Sequence, residues 1–396
     1  MKERVILHCD CNSFFASVET ALNPRYANVP LAVCGSEEER HGIVLAKNQL
    51  AASYGIKTAE TVFSARKKCP GLVIARPHYS EYEKFSRKAN EIYRRYTDMV
   101  EQFGIDESWL DVTASQKLFG SGYDIACRIS RDIKHELGIT VSIGVSFNKV
   151  FAKLGSDYKK PDAITVIDAE SVEKIVYPLP VTDLLFVGTK TARALMAMGI
   201  RTVGDLAKTS PEMLKSRFGK NGEMLHKYAA GLDDSPVQCD SMDDAKSIGN
   251  GYTFKSDLKD HSEIIKAIDF LVEEIGVKLR ERGEKCATVQ ITIKDMNFRS
   301  IQRQCPQEPP TDISSEIAST AFELLKSEWQ SNTPIRMLTV TALNLVKSSD
   351  APTQISMFDA NTDETREKQH RSEEIVDKIR QKFGNAAIKK GVTTDD

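Results

Sequence analysis

The chain commits itself early. Its first apolar run, Val5-Ile6-Leu7-His8-Cys9, ends on Asp10 and is followed at once by Cys11-Asn12-Ser13 and the pair Phe14-Phe15. Such a run reads as a buried strand that delivers one carboxylate at its end. After the turn a helix runs on to Asn23-Pro24, where the proline stops it. A carboxylate leaving a buried strand either caps the next helix or serves chemistry, and Asp10 alone supports both equally. A second acidic pair, Asp106-Glu107, tips the balance.

The residues around that pair place it. A 3.6 period through Tyr82, Phe85, Ala89, Ile92, Tyr93 and Tyr96 predicts one helix over 79–102. A hairpin follows over 103–112, then a helix over 123–137 and an alternating strand over 139–146. With the first strand this is β-α-β-β-α-β, the split unit of ferredoxin-like α+β folds. In that topology Asp10 ends one strand and Asp106-Glu107 sits at the turn of the adjoining hairpin, so the carboxylates meet at one sheet edge. The intervening segment predicts strands at 30–34 and 42–46 and helices at 48–54 and 62–69, closed by Pro70-Gly71. That lobe is too small for an enzyme of its own and suits a cover.

A length of 396 residues allows about two to four such units. No run approaches transmembrane length, and the start leads straight into a strand, which predicts a cytoplasmic protein without a membrane partner. Eight scattered cysteines with no Cys-x-x-Cys pair agree with reduced thiols. The formal charge of −2 carries no nucleic-acid signature, but 149–227 holds thirteen Lys and Arg against nine Asp and Glu. Within it, Val187-Gly188-Thr189-Lys190 has the shape of a helix-hairpin-helix, whose backbone N–H groups can hold a phosphate. A plain helical hairpin is the other reading, since Phe186 stands where such hairpins usually begin with glycine.

A loop-like acidic stretch over 231–244 reads as a linker. The β-α-β-β-α-β order then returns over 246–345, with helices at 261–282 and 312–330. In the strand 286–294, Ala287, Val289, Ile291 and Ile293 alternate with Thr288, Gln290, Thr292 and Lys294. The helices cover the apolar face; the polar face, joined by Arg299 and Arg303, stays open and suits a phosphate backbone. Beyond 347 come Gln354-Ile355-Ser356-Met357-Phe358, an apolar pair in a polar tail that reads as a docking peptide, and a charged helix with Ile375, Val376, Ile379 and Phe383 as a stripe.

Converging carboxylates repel, and a divalent cation relieves them. Magnesium takes hard oxygen ligands, and a pair of such ions suits in-line nucleotidyl transfer. No Gly-rich phosphate loop is present, so the N–H groups at 11–15 and Lys160 are the candidates for a triphosphate.

Asp10-Cys11-Asn12-Ser13-Phe14-Phe15-Ala16-Ser17-Val18-Glu19, Gly104-Ile105-Asp106-Glu107-Ser108 and Gly144-Val145-Ser146-Phe147-Asn148-Lys149, continuing to Lys153, together resemble the Y-family DNA polymerases, of the bacterial DNA polymerase IV type. The resemblance runs from residue 5 to about 346 and takes in the tail peptide. It implies an α+β multidomain right-hand polymerase: a ferredoxin-like palm (1–24 and 79–168), small fingers (25–78), a helical thumb (169–232), a linker (233–245), a second α/β sandwich or little finger (246–346) and a tail (347–396). It implies that Asp10, Asp106 and Glu107 are catalytic and, with the carbonyl of Cys11, hold two Mg2+ ions. Phe15 becomes the steric gate against a ribose 2′-hydroxyl, and Phe14, Gln49 and Lys160 join it at the nucleotide. Gly188, Lys190, Lys294, Arg299 and Arg303 fall to primer-template DNA, and Gln354, Met357 and Phe358 to a sliding clamp. The implied protein is a monomer that copies damaged DNA with low fidelity and no proofreading.

Three positions depart from the family pattern: Asn12 for Asp, and Gln49 and Ala52 for the Tyr and Arg of the fingers, with Lys47 as a partial substitute. Two rivals share some features. A nucleotidyl cyclase has the palm and its metals but lacks DNA-binding accessory domains; a DNA- and clamp-binding adaptor would lack a carboxylate.

Overall fold

The computed structural model describes residues 4–239, 245–329, 333–350, 360–384 and 387–388. The chain divides into two compact units, Met1–Ser36 with Gly42–Asp243, and Glu37–His41 with Asp244–Asp396.

The first unit holds β1 (Ile6–Cys11), β2 (Leu31–Cys34), β3 (Val44–Lys47), β4 (Val73–Ala75), β5 (Val100–Gln102), β6 (Glu107–Asp111), β7 (Val141–Ser146) and β8 (Ile164–Ile167). Five of them form one sheet in the order β5-β6-β1-β7-β8. Both faces of β1 and β7 are buried throughout, which explains their unbroken apolar runs. The helices Tyr79–Arg94 and Gly122–Leu137 cover one face with Tyr82, Tyr93, Ile125, Ile129 and Ile133. The helix Lys149–Tyr158 returns over the other face directly from β7. That return is close: a Cβ on Gly144 would lie 1.8 Å from the Ala152 carbonyl oxygen, so only glycine fits there.

The single helix predicted over 79–102 is corrected. It stops at Arg94, and Val100–Gln102 is an edge strand paired with β6. Tyr96 keeps the helical period only because it packs into the same core after the helix has ended. The small lobe has a three-stranded sheet, β3-β2-β4, whose third strand the sequence reading missed because it is three residues long. A further core gathers the short helices between Val172 and Ala229 around Leu195, Leu206, Leu214 and Leu225.

The stretch predicted as a linker is pinned over its first half. Val237 is buried beside Trp109 and Ala152, the Arg4 guanidinium donates to the Ser235 carbonyl, and the Gln238 N–H donates to Glu101.

The second unit has β9 (Ser247–Leu258), β10 (Glu284–Asp295), β11 (Ser300–Thr311) and β12 (Ile335–Lys347) in the order β11-β10-β12-β9. Helices His261–Arg282 and Ser314–Glu328 bury Ile264, Leu271, Ile275, Ile317 and Leu325 against Val289, Ile291 and Ile293. The helix Ala360–Phe383 belongs to this unit through ion pairs: Arg280 to Glu373 and Asp377 at 2.6 Å each, and Arg380 to Glu273 at 2.7 Å. Glu373 also accepts from the Ser314 N–H and hydroxyl, capping the helix that starts there. The stripe predicted on this helix divides: Val376 lines a cavity of about 280 Å³ with Arg280, Ser314 and Arg380, whereas Ile375 and Phe383 are exposed. Among the described residues no helix is long and apolar enough to cross a membrane.

Candidate active site

β1 carries Asp10 to the sheet edge, where it lies opposite Glu107 of β6 in the antiparallel ladder. The Cys11 N–H donates to the Asp106 carbonyl at 2.9 Å, tying the hairpin turn to the strand end. The three predicted carboxylates therefore share one edge, and two lysines meet them. Lys153 Nζ lies 2.9 Å from Asp10 Oδ2 and 2.7 Å from Glu107 Oε2, and Lys160 Nζ lies 2.6 Å from Asp10 Oδ2. Asp157 supports both lysines, at 3.4 Å from Lys153 and 2.7 Å from Lys160.

Titration follows from these neighbours. Burial, then the charges of Asp10 and Glu107, push Asp106 up to about 6. Burial also presses on Glu107, but the close approach of the His8 ring and the hydrogen bond and charge of Lys153 outweigh it and hold the carboxyl down at about 2. Lys153 is raised despite its burial, because Asp10, Asp157 and Glu107 surround it. Its ammonium occupies the place between two carboxylates that a cation would take. His8 sits behind them, wholly buried: Nδ1 is 2.9 Å from the Ser156 hydroxyl and Nε2 is 3.3 Å from Glu107. That second contact is close but poorly aligned, leaving Nε2 without a proper hydrogen-bond partner. His8, Asp10 and Glu107 can bring ligand atoms within 4.8 Å of one another. The oxygen-rich donor set, and the mutual repulsion that raises Asp106, fit a hard divalent cation.

Cys11 can join such a site only through its backbone. Its thiol is buried against the Tyr93 hydroxyl at 3.8 Å and burial pushes it up to about 12. The expectation for Phe14 is likewise narrowed, because its ring is core and its main chain alone can face a substrate. Ser13 takes a left-handed conformation at φ 47°, which turns the chain from β1 into the helix Phe14–Leu22. Phe15 sits on the first turn of that helix with its ring stacked on Tyr82, centroids 4.1 Å apart and planes 12° from parallel.

The departures have structural accounts. Asn12 is buried; with its amide oxygen turned toward them it accepts from the Asp162 N–H and the Thr140 hydroxyl, both at 3.1 Å, while its nitrogen donates to Ser142 at 2.8 Å. It braces the turn and stands apart from the carboxylates. Gln49 shares a cavity of about 340 Å³ with Ser13, Ser17, Thr140 and Asp162. Lys47 donates to the Thr58 hydroxyl at 3.3 Å, and Ala52 has no polar side-chain atom to offer.

The turn at Phe186–Gly188 forms without the usual glycine. Phe186 itself adopts φ 65°, the left-handed geometry that glycine supplies cheaply, and leans on Tyr228. Gly188 caps the helix Thr189–Ala197 with open space around it, and Lys190 is exposed.

Two predictions for the open sheet face are corrected. Arg303 lies opposite the inward-facing Ile291 and reaches Glu328 at 2.9 Å, so it belongs to the helix-covered side. Thr288 is buried and takes a hydrogen bond from the Asn344 amide at 2.9 Å. Gln290, Thr292 and Lys294 remain on the open face with Gln302 and Gln304 opposite, and Arg299 sits at the hairpin turn beside Asp295. Gln354, Met357 and Phe358 lie outside the described residues.

Sequence reading passed over Lys153, His8 and Glu19. The signal for Lys153 was present: it falls on the helix turn that faces the strand end, one turn after Lys149.

The family model described as impB/mucB/samB family matches residues 9–157, and that of its C-terminal domain matches 245–357. A model described as DNA polymerase-iota, thumb domain, matches 182–233. The chain is 47% identical over 395 residues to DNA polymerase IV of Acetivibrio thermocellus, covering 100% of this chain and 98% of that one. It is 34% identical to DNA polymerase IV 1 of Bacillus subtilis, covering 99% and 94%. A solved Y-family DNA polymerase chimera matches with a TM-score of 0.79 and 24% identity, over 87% of this chain and 99% of the other.

Proposed function

The chain belongs to the Y-family DNA polymerases and is a DNA-directed DNA polymerase, and from that premise we propose that it extends primers across damaged template bases at the cleft around Asp10, Asp106 and Glu107. The observation that supports this most is the convergence of these carboxylates on one sheet edge, with Lys153 bridging Asp10 and Glu107 and Lys160 on Asp10. The family is metal-dependent; Asp10, Asp106, Glu107 and the Cys11 carbonyl would hold two Mg2+ ions, which would supply positive charge for nucleotidyl transfer. Lys153 holds Asp10 and Glu107 together before substrate arrives. Lys160 then turns from Asp10 to the triphosphate, aided by the N–H groups at the start of the helix Phe14–Leu22. Phe15 closes the sugar side against a 2′-hydroxyl.

The remaining segments take the supporting roles. Palm (1–24, 79–168), fingers (25–78), thumb (169–232), linker (233–245), little finger (246–346) and tail (347–396) are the working divisions. Gly188 and Lys190 hold backbone phosphates, Lys294 and Arg299 track the duplex, and 354–358 docks to a sliding clamp. The enzyme acts as a cytoplasmic monomer and lacks proofreading.

The test is extension of a labelled hairpin primer with magnesium, on intact and lesion-bearing templates, by wild type and Asp106→Ala. Extension by wild type alone is expected; equal inertness across templates and metals would end the proposal. Deleting 354–358 should leave basal extension intact and remove stimulation by a clamp. Stimulation that survives would dismiss the docking role.

A further inference from the structure

Glu19 is a buried carboxylate, 3% exposed, that the acidic cleft does not use. Burying a charge is costly unless it is well bonded, so its partners report why it is there. They are few and specific. The Tyr82 hydroxyl donates to Glu19 Oε1 at 2.5 Å, and His78 Nδ1 lies 2.9 and 3.1 Å from the two carboxylate oxygens.

Tyr82 is itself wholly buried, and its ring face carries Phe15. Phe15 and Glu19 stand four residues apart on one helix, so they project from the same side. The helix thus grips a single tyrosine at two points, the ring through Phe15 and the hydroxyl through Glu19. Tyr79 closes the arrangement edge-on, with centroids 6.1 Å from Phe15 and 5.9 Å from Tyr82.

A wall that excludes one hydroxyl works only if it does not yield, since a shift of about 1 Å makes room for an oxygen. Stacking alone lets the two rings slide together across their faces. A hydrogen bond from the far end of Tyr82 to a buried carboxylate prevents that slide. We infer that Glu19 is a positioning residue for sugar selection: through the Tyr82 hydroxyl it fixes the ring against which Phe15 rests, and so sets how firmly the site rejects a 2′-hydroxyl. This rests on the reading of Phe15 as the gate.

The experiment measures kcat/KM for a deoxynucleotide and its matching ribonucleotide, with magnesium and a hairpin primer, in wild type, Phe15→Ala, Tyr82→Phe, Glu19→Ala and Glu19→Gln. Phe15→Ala should lower the deoxy-to-ribo ratio by about 10²-fold. Tyr82→Phe and Glu19→Ala should each lower it by roughly 10-fold, through better ribonucleotide use, with deoxynucleotide kcat held within about threefold. Glu19→Gln keeps an acceptor oxygen and should retain most of the wild-type ratio. If Glu19→Ala fails to fold, Tyr82→Phe still decides, because it removes one hydroxyl and leaves the packing. An unchanged ratio in Tyr82→Phe, beside a relaxed one in Phe15→Ala, would overturn the role of Glu19 alone. An unchanged ratio in Phe15→Ala would overturn the gate reading and this inference with it.

Discussion

The molecule contains the β-α-β-β-α-β order twice, and the two sheets are put to opposite uses. In the first, β1 and β7 are buried on both faces, because helices cover one side and Lys149–Tyr158 returns over the other. The carboxylates collect at its edge, where burial and neighbouring charge push Asp106 up while His8 and Lys153 hold Glu107 down. In the second, helices cover one face only, so β10 alternates and leaves Gln290, Thr292 and Lys294 partly open. A sheet sealed on both sides concentrates charge at its end, where low dielectric makes it consequential. A sheet sealed on one side spreads polar and cationic donors over a surface, which suits contact without reading. The chain order of the elements is shared but not the strand pairing, since β1 is central in its sheet and β9 lies at an edge of the other; the number of covered faces decides the work.

That contrast can be broken from either side. The largest effect should come from Asp106→Asn in the first sheet: the rate at saturating DNA falls about 10³-fold or more, measured by single-turnover extension. Next is the close approach behind it. Gly144→Ala would set a Cβ against the Ala152 backbone and should cost roughly 3 kcal/mol or more in a denaturant melt. In the second sheet the atoms nearest a Cβ on Gly251 belong to the Thr339 side chain rather than to backbone, so Gly251→Ala should cost less, roughly 1 kcal/mol. Equal costs would mean that the two sheets are packed alike. The smallest effect falls on the open face. Lys294→Ala with Arg299→Ala should weaken DNA binding several-fold and flatten the salt dependence by a slope of about 0.9 per lost phosphate contact. Arg303→Ala, tied to Glu328 on the covered side, should leave that slope unchanged.

Much of this was legible in the residues. Apolar runs ending on Asp10 and a hairpin holding Asp106-Glu107 bring the carboxylates to one edge, because a strand buried on both faces delivers charge at its end. What escaped was set by tertiary packing. Tyr96 kept a helical period beyond the helix's last turn, so β5 was hidden inside an apparent helix. Arg303 looked like a partner of Lys294 until strand register placed it opposite Ile291. Lys153 and Glu19 lay inside recognised motifs, but a lone charged residue on a helix more often faces solvent, and only the fold shows which carboxylate or tyrosine it meets.

The division of labour is tested most directly by one titration of DNA in single-turnover extension, run on wild type, Asp106→Asn and the Lys294→Ala/Arg299→Ala pair. Asp106→Asn should collapse the saturating rate and leave the half-saturating DNA concentration within about twofold. The paired variant should do the reverse, raising that concentration while the saturating rate holds. A paired variant that lowers the saturating rate as deeply as Asp106→Asn would contradict the assignment of chemistry to one sheet and holding to the other.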